Sequence, residues 1–177
     1  GIFFDLRAVW GPQDECEALR SGLLAEVAGN RAFQRLMAEN ALRNRPPTGY
    51  FRDFVVARKG ADKNTLDLKV HGLMPFVDAA RLLALAHDIR AVGTPERLQA
   101  LGKLGVMDAQ DCAAYAEAYT FIQLTRLQLQ QTQARAGLAF SNRLDPDTLN
   151  RLERRILRES FRQAQRLQAD LAQRYQL

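Results

Sequence analysis

Residues 65–81, TLDLKVHGLMPFVDAAR, bring five ionisable side chains to one junction: Asp67, Lys69, His71, Asp78 and Arg81. Cations and carboxylates gathered this closely can hold a phosphate or an acidic acceptor, and arginine supplies the planar fork that matches their oxygens. Asp78 and Arg81 are three residues apart and share a helix face. Arg81 could grip an anion while Asp78 orients it, or the two could form an intrahelical ion pair that anchors a neighbouring hairpin. Lys69 and Arg52 fall on the two arms of that hairpin. If the arms pair, both cations face a cleft suited to a triphosphate; a solvated hairpin face accounts for them equally well. His71 has no acid at catalytic spacing, so junction packing explains it better than a general-base role. His87 falls near the end of its helix, where a protonated imidazole suits the dipole. No nucleophile, metal-ligand set or acid–base pair is complete in this stretch.

The elements that must position these residues are mostly helical. Residues 2–9, IFFDLRAV, have the β-branched and aromatic character of a strand, with no partner beside them in sequence. Gly11-Pro12 breaks that run, and Asp14 can cap a helix to about Gly29. A second helix runs from about Arg31 to Arg43 and ends before Pro46-Pro47. Residues 50–57 and 65–70 read as short strands joined by RKGADKN, a small hairpin. Leu73 opens a helix to about Ile89, with Pro75 in its first turn. Thr94-Pro95-Glu96-Arg97 starts a short helix, and Asp108 starts a long one to about Arg135. That long helix is apolar almost all round at first, which predicts a central position in a bundle. Asp145-Pro146-Asp147 reads as the cap of the last helix, with Leu149, Leu152, Ile156, Ala164, Leu167 and Leu171 on its apolar stripe and Leu157 and Phe161 flanking. The expected fold is mainly α: an antiparallel four-helix-type bundle with a short inserted β-hairpin and an orphan N-terminal strand.

At 177 residues and 47% hydrophobic, the chain can bury one substantial core. No apolar run approaches the length that spans a bilayer, and no signal-peptide pattern opens the sequence, so a cytoplasmic protein is expected. Gly1 leads straight into an apolar β-type run, as in a piece of a longer chain. Cys16 and Cys112 are outside any CxxC pattern, and the histidines are not at ligand spacing from them; buried reduced thiols are expected. The net charge is +5, with arginines crowded at 151, 154, 155, 158, 162, 166 and 174. Because Glu153, Glu159 and Asp170 interleave with them, a solvated face or a surface docking an acidic partner domain is the expectation. Nucleic-acid binding is disfavoured, since no aromatic residues alternate with the basic ones.

Several pieces in order carry a family resemblance: FFDLRAVWG at 3–11, PPTGYFRDFVV at 46–56, LDLKVHGLMPFVDAARLLAL at 66–85, TPERL at 94–98, RLQLQ at 126–130 and N-x-x-D-P at 142–146. Together they resemble the substrate-binding domain of bacterial nucleotidyltransferases, the type joined to CBS and cyclic-nucleotide-binding domains. The resemblance implies a helical bundle like the C-terminal half of kanamycin-type nucleotidyltransferases. It divides the chain into residues 1–10, the last strand of an upstream catalytic domain, and residues 11–177, the helical substrate-binding domain. The implied catalytic domain is polymerase β-like, with a Gly-Ser turn for a nucleoside triphosphate and an Asp-x-Asp pair for magnesium. This chain has neither; Asp145-Pro146-Asp147 has the letters but sits as a cap. The isolated chain is therefore expected not to catalyse transfer.

The same superfamily takes a third carboxylate from a later strand, which points to Asp5; a strand-edge acid paired with Arg7 or another base is the alternative. Gln130 and Asn142 match late polar positions of the family and could contact ligand, while Asn142 could instead cap the loop before the final helix. The acceptor is unspecified and could be a protein, as in enzymes that uridylylate the PII signalling protein. The rival reading is a non-catalytic helical interaction module that forms a homodimer.

Overall fold

A computed structural model of the chain describes residues 2–48, 54–57, 59–60 and 62–177. Among these, the α-helices are α1 (Gln13–Ala28), α2 (Arg31–Ala41), α3 (Met74–Ala86), α4 (Thr94–Lys103), α5 (Ala109–Arg135) and α6 (Arg151–Tyr175). Two short strands, β1 (Leu66–Asp67) and β2 (Arg143–Leu144), pair antiparallel with Leu66 opposite Leu144. The fold is mainly α, as the apolar periodicity predicts. Helices α3, α4, α5 and α6 close a ring, each packed on the next and α6 back on α3, while α1 and α2 cover the outer side of α3.

Helix α3 is the centre. Phe76, Ala79, Ala80 and Leu82 have no exposed surface, and Leu83, Ala84 and Leu85 have almost none. The long α5, expected at the centre, instead buries one side through Cys112, Tyr115, Ala118, Ile122 and Thr125. Its other faces meet solvent and carry polar side chains together with Leu124 and Leu127. Helix α6 is turned relative to the expected stripe: Leu157, Phe161, Ala164, Leu167 and Leu171 are fully buried, whereas Leu152 and Ile156 are exposed. On that buried face Phe161 packs edge-on against Phe54, with ring centroids 6.0 Å apart.

Several caps follow their sequence signals. Asn30 Oδ1 accepts from the Phe33 amide at 2.9 Å, and Asp108 Oδ1 accepts from Gln110 at 2.8 Å. Asp145 caps a 3₁₀ turn at Pro146–Thr148 rather than the last helix, which begins one turn later with a capping box between Asn150 and Glu153. Helix α1 has Pro12 at its N-cap and no side-chain cap bond from Asp14.

The largest departures concern the extended segments. Ile2–Asp5 form a 3₁₀ turn and not a strand. Among the described residues no strand lies beside this run to take its amides and carbonyls, and the tight turn bonds locally instead. Of the hairpin arm expected at 50–57, residues 50–53 lie outside the described residues. Backbone bonds do join Ala57 to Thr65 and Asn64, closing the turn. The ladder itself pairs β1 with β2, which follows α5 in sequence, and the Leu68 amide extends it to the Asn142 carbonyl at 3.0 Å. After β1 the chain enters a π-helical turn, Leu68–Leu73, in which the Met74 amide reaches back to the Lys69 carbonyl. Asp67 Oδ1 starts that turn by accepting from the Lys69 and Val70 amides. The wider turn presses Gly72 against α5 and α6: a Cβ there would stand 3.0 Å from Ile122 Cγ2 and 3.1 Å from Phe161 Cε1.

Two glutamines hold helix ends that sequence rules leave open. Gln34 Nε2 donates to the Val27 and Ala28 carbonyls at the end of α1, and Gln168 Nε2 donates to Ala41 and Asn44 at the end of α2. Terminal carbonyls without such partners are costly when buried. Gln168→Leu is therefore expected to lower stability by about 1–3 kcal/mol, read as a reduced urea midpoint at unchanged slope. A midpoint equal to that of the natural chain would show that water serves those carbonyls as well.

Candidate functional site

The ionisable residues of α3 do converge, but on the N-terminal turn and not on the hairpin. Asp78 and Arg81 stand one turn apart on the α3 face that meets residues 4 and 5, and Arg81 NH1 donates to Asp78 Oδ1 at 3.0 Å. The 3₁₀ turn brings Asp5 to the same guanidinium, with Arg81 NH2 to Asp5 Oδ2 at 2.6 Å. A second arginine completes the cluster: Arg97 of α4, whose NH2 donates to Asp5 Oδ1 at 2.6 Å and whose Nε donates to the Ala91 carbonyl at 2.8 Å. Side-chain exposure falls from 32% at Asp5 to 11% at Arg81 and 3% at Arg97. The cation of Arg97 is thus almost wholly out of water, and Asp5 is its counter-ion.

The electrostatics follow from that geometry. Burial pushes the Asp5 carboxyl up, but the hydrogen bonds and charges of Arg81 and Arg97 outweigh it and hold the group below its ordinary pKa. For Asp78, burial wins over the attraction of Arg81, and its pKa is raised. Burial also lowers Arg97, against the opposing pull of Asp5. Two acids and two bases balance. Such a cluster can bind an oxyanion between two guanidiniums, and here the bound oxyanion is the carboxylate of Asp5.

Arg97 escapes a reading that treats TPERL only as a helix start. Its signal lay in position: Thr94, Arg97, Leu98 and Leu101 are the buried face of α4, so an arginine falls on an apolar stripe. A cation there demands a buried anion. The remaining candidates are not brought into this cluster. Lys69 is exposed on the π-helical turn, and Arg52 lies outside the described residues. Asn142 Oδ1 accepts from Arg126 Nε at 2.6 Å while its carbonyl serves Leu68, so it braces the β1–β2 pair. Gln130 is half-buried on α5 and makes no side-chain hydrogen bond among the described residues. Arg143 reaches toward Asp62 at 3.4 Å and Asp67 at 3.8 Å, a second, more exposed set of charges.

His71 is half-buried at the π-helical turn. His87 is exposed; partial burial and then the charge of Arg174 lower its pKa, which opposes the protonated form that the helix dipole would favour. Cys16 and Cys112 are both free thiols, and Cys112 is buried with its pKa raised, first by burial and then by Asp108 and Asp111. Cys112 also floors a depression of about 490 Å³ between α4 and α5, away from the ion cluster. Among the described residues, no three His, Cys, Asp or Glu side chains converge to hold a metal ion. Asp5 itself has both oxygens engaged by guanidiniums, so the residues present do not fit magnesium.

Fold and cluster together define a helical domain whose buried charges pair an oxyanion. Residues 31–175 match the family described as "Putative nucleotidyltransferase substrate binding domain", and the chain belongs to that family. The matched span contains Asp78, Arg81 and Arg97; Asp5 lies outside it. No curated protein and no solved structure matches the chain. No helix among the described residues is long and apolar enough to cross a membrane.

Proposed function

We propose that this domain serves a bacterial, cytoplasmic nucleotidyltransferase by holding the acceptor or the nucleotide against a polymerase β-like catalytic domain. The observation that carries the reading is the family match over residues 31–175, which takes in both helices that supply the paired guanidiniums. In this reading the catalytic domain, and not the helical chain, supplies the Gly-Ser turn, the Asp-x-Asp pair and the magnesium. Arg81 and Arg97, neutralised by Asp5 and Asp78, tie the N-terminal segment to α3 and α4 and so set how the catalytic domain seats against the bundle. The acceptor is proposed to be a signalling protein of the PII kind, with CBS or cyclic-nucleotide-binding domains reporting the regulatory signal.

The test is transfer of labelled nucleotide by the full-length protein to candidate acceptors, comparing the natural chain with Asp5→Asn and Arg81→Ala. Transfer is expected to fall by about tenfold or more with Arg81→Ala, in keeping with the loss of a charge-assisted bond. Unchanged transfer in both variants would remove the cluster from function while leaving its structural role intact.

A second reading is favoured by a separate observation. Leu124, Leu127, Leu138, Phe140 and Leu152 are about half exposed or more, an unusual load of apolar side chains on α5, α6 and their connection. A non-catalytic module that forms a homodimer through them would sediment as a dimer and give no heat with nucleoside triphosphates. A monomer at micromolar concentration excludes it.

A further inference from the structure

The three acids that interleave with the late arginines in sequence do not pair with Arg151 or Arg155 at the start of α6. Glu153 turns back to accept from the Asn150 amide at 3.0 Å as part of the capping box. Glu159 pairs with Arg162 at 3.5 Å, and Asp170 accepts from the Tyr115 hydroxyl at 2.9 Å. The start of α6 gathers Arg151, Arg154, Arg155 and Arg158, spaced i, i+3, i+4 and i+7 around one depression of about 320 Å³ that all four line. Asp147 pairs with Arg154 at 3.1 Å, but that carboxylate is itself 81% exposed. Arg151 and Arg155 make no ion pair or side-chain hydrogen bond among the described residues. Arg154 adds a buried Nε donor that has no partner.

Like charges crowded within two helical turns repel one another, and helix surfaces usually relieve this with acids at i+3 or i+4. Here Glu153, Glu159 and Asp170 are turned to other partners, which leaves Arg151 and Arg155 to an anion from outside the helix. We infer that the arginine-lined depression at the start of α6 is a binding site for a small oligophosphate. The four positions span about 10 Å of helix, and guanidinium forks match phosphate oxygens bidentately. An acidic peptide spreads its charges along an extended backbone, whereas an oligophosphate concentrates them in the compact volume that the depression offers. Among the described residues only arginines line the depression, and their guanidiniums address the phosphates. The inference does not depend on the nucleotidyltransferase reading or on the Asp5 cluster.

Calorimetric titration of the full chain with inorganic triphosphate at low salt is the test. The natural chain is expected to bind one triphosphate, with affinity falling as salt rises. Arg151→Gln/Arg155→Gln should weaken it by about a hundredfold, roughly tenfold for each charge-assisted bond removed, at unchanged melting temperature because both side chains are solvent-facing. Arg162→Gln, whose guanidinium pairs with Glu159, should bind as the natural chain does. Binding undiminished in the double variant overturns the site. So does tighter binding of a polyglutamate peptide than of triphosphate, or no binding by the natural chain.

Discussion

Asp5→Ala is expected to destabilise the folded chain by about 2 kcal/mol, between the values typical of exposed and fully buried ion pairs. The cost arises less from the lost attraction than from what remains. Arg97 is left with 3% of its side chain exposed and no carboxylate. Removing the stranded cation should therefore help: Asp5→Ala/Arg97→Met is expected to be more stable than Asp5→Ala alone, since a hydrophobic replacement of similar length fills the site without a charge. Urea denaturation of the two single variants, the double variant and the natural chain closes the cycle. A double variant less stable than Asp5→Ala would mean that Arg97 is held by packing and the Ala91 carbonyl, not by its counter-ion.

The same cycle has a pH signature. The folded pKa of Asp5 is depressed, so the unfolded chain takes up this proton first as pH falls. Its contribution is full above the unfolded value of about 3.9 and is lost as pH drops through the folded value. The stability gap between the natural chain and Asp5→Ala should thus narrow below about pH 4. Asp78 works in the opposite direction. Its folded pKa is raised, so its contribution is full below the unfolded value and is lost as pH rises through the folded one. A gap that widens on acidification would contradict the arginine-held carboxylate.

The second large effect lies where the π-helical turn meets α5 and α6. Phe161 has no exposed surface and packs on Phe54, so Phe161→Ala should cost about 3–5 kcal/mol. Gly72→Ala should cost about 1–3 kcal/mol by itself, because its methyl would press on Ile122 and Phe161, neither of which has room to move. The two changes should not add. The methyl of Gly72→Ala would occupy part of the cavity left by Phe161→Ala, making the double variant less damaged than the sum. Additive losses in chemical denaturation would place the two residues in separate packing units.

What the residues themselves determine is local. Apolar spacing, the Asp108 cap and the Pro46-Pro47 break place most of the helices to within a turn, because each signal acts within one or two turns; Asp14 and Asp145 do not cap the helices expected of them. The ordered family pieces are likewise readable without coordinates, and the match over residues 31–175 spans all of them except FFDLRAVWG at 3–11. Asp78 and Arg81 are a pair on spacing alone. Their third and fourth partners are not, because Asp5 and Arg97 reach them from distant parts of the chain and no short-range rule links those positions. The same reason pairs β1 with β2, distant in sequence, and turns Leu157 and Phe161 inward in place of Leu152 and Ile156. Periodicity defines an apolar face only to within a residue or so; the volume left by the other helices chooses the side chains that fill it. The charge at the start of α6 was likewise visible as arginine count, but whether acids cancel it depended on where Glu153, Glu159 and Asp170 find their partners.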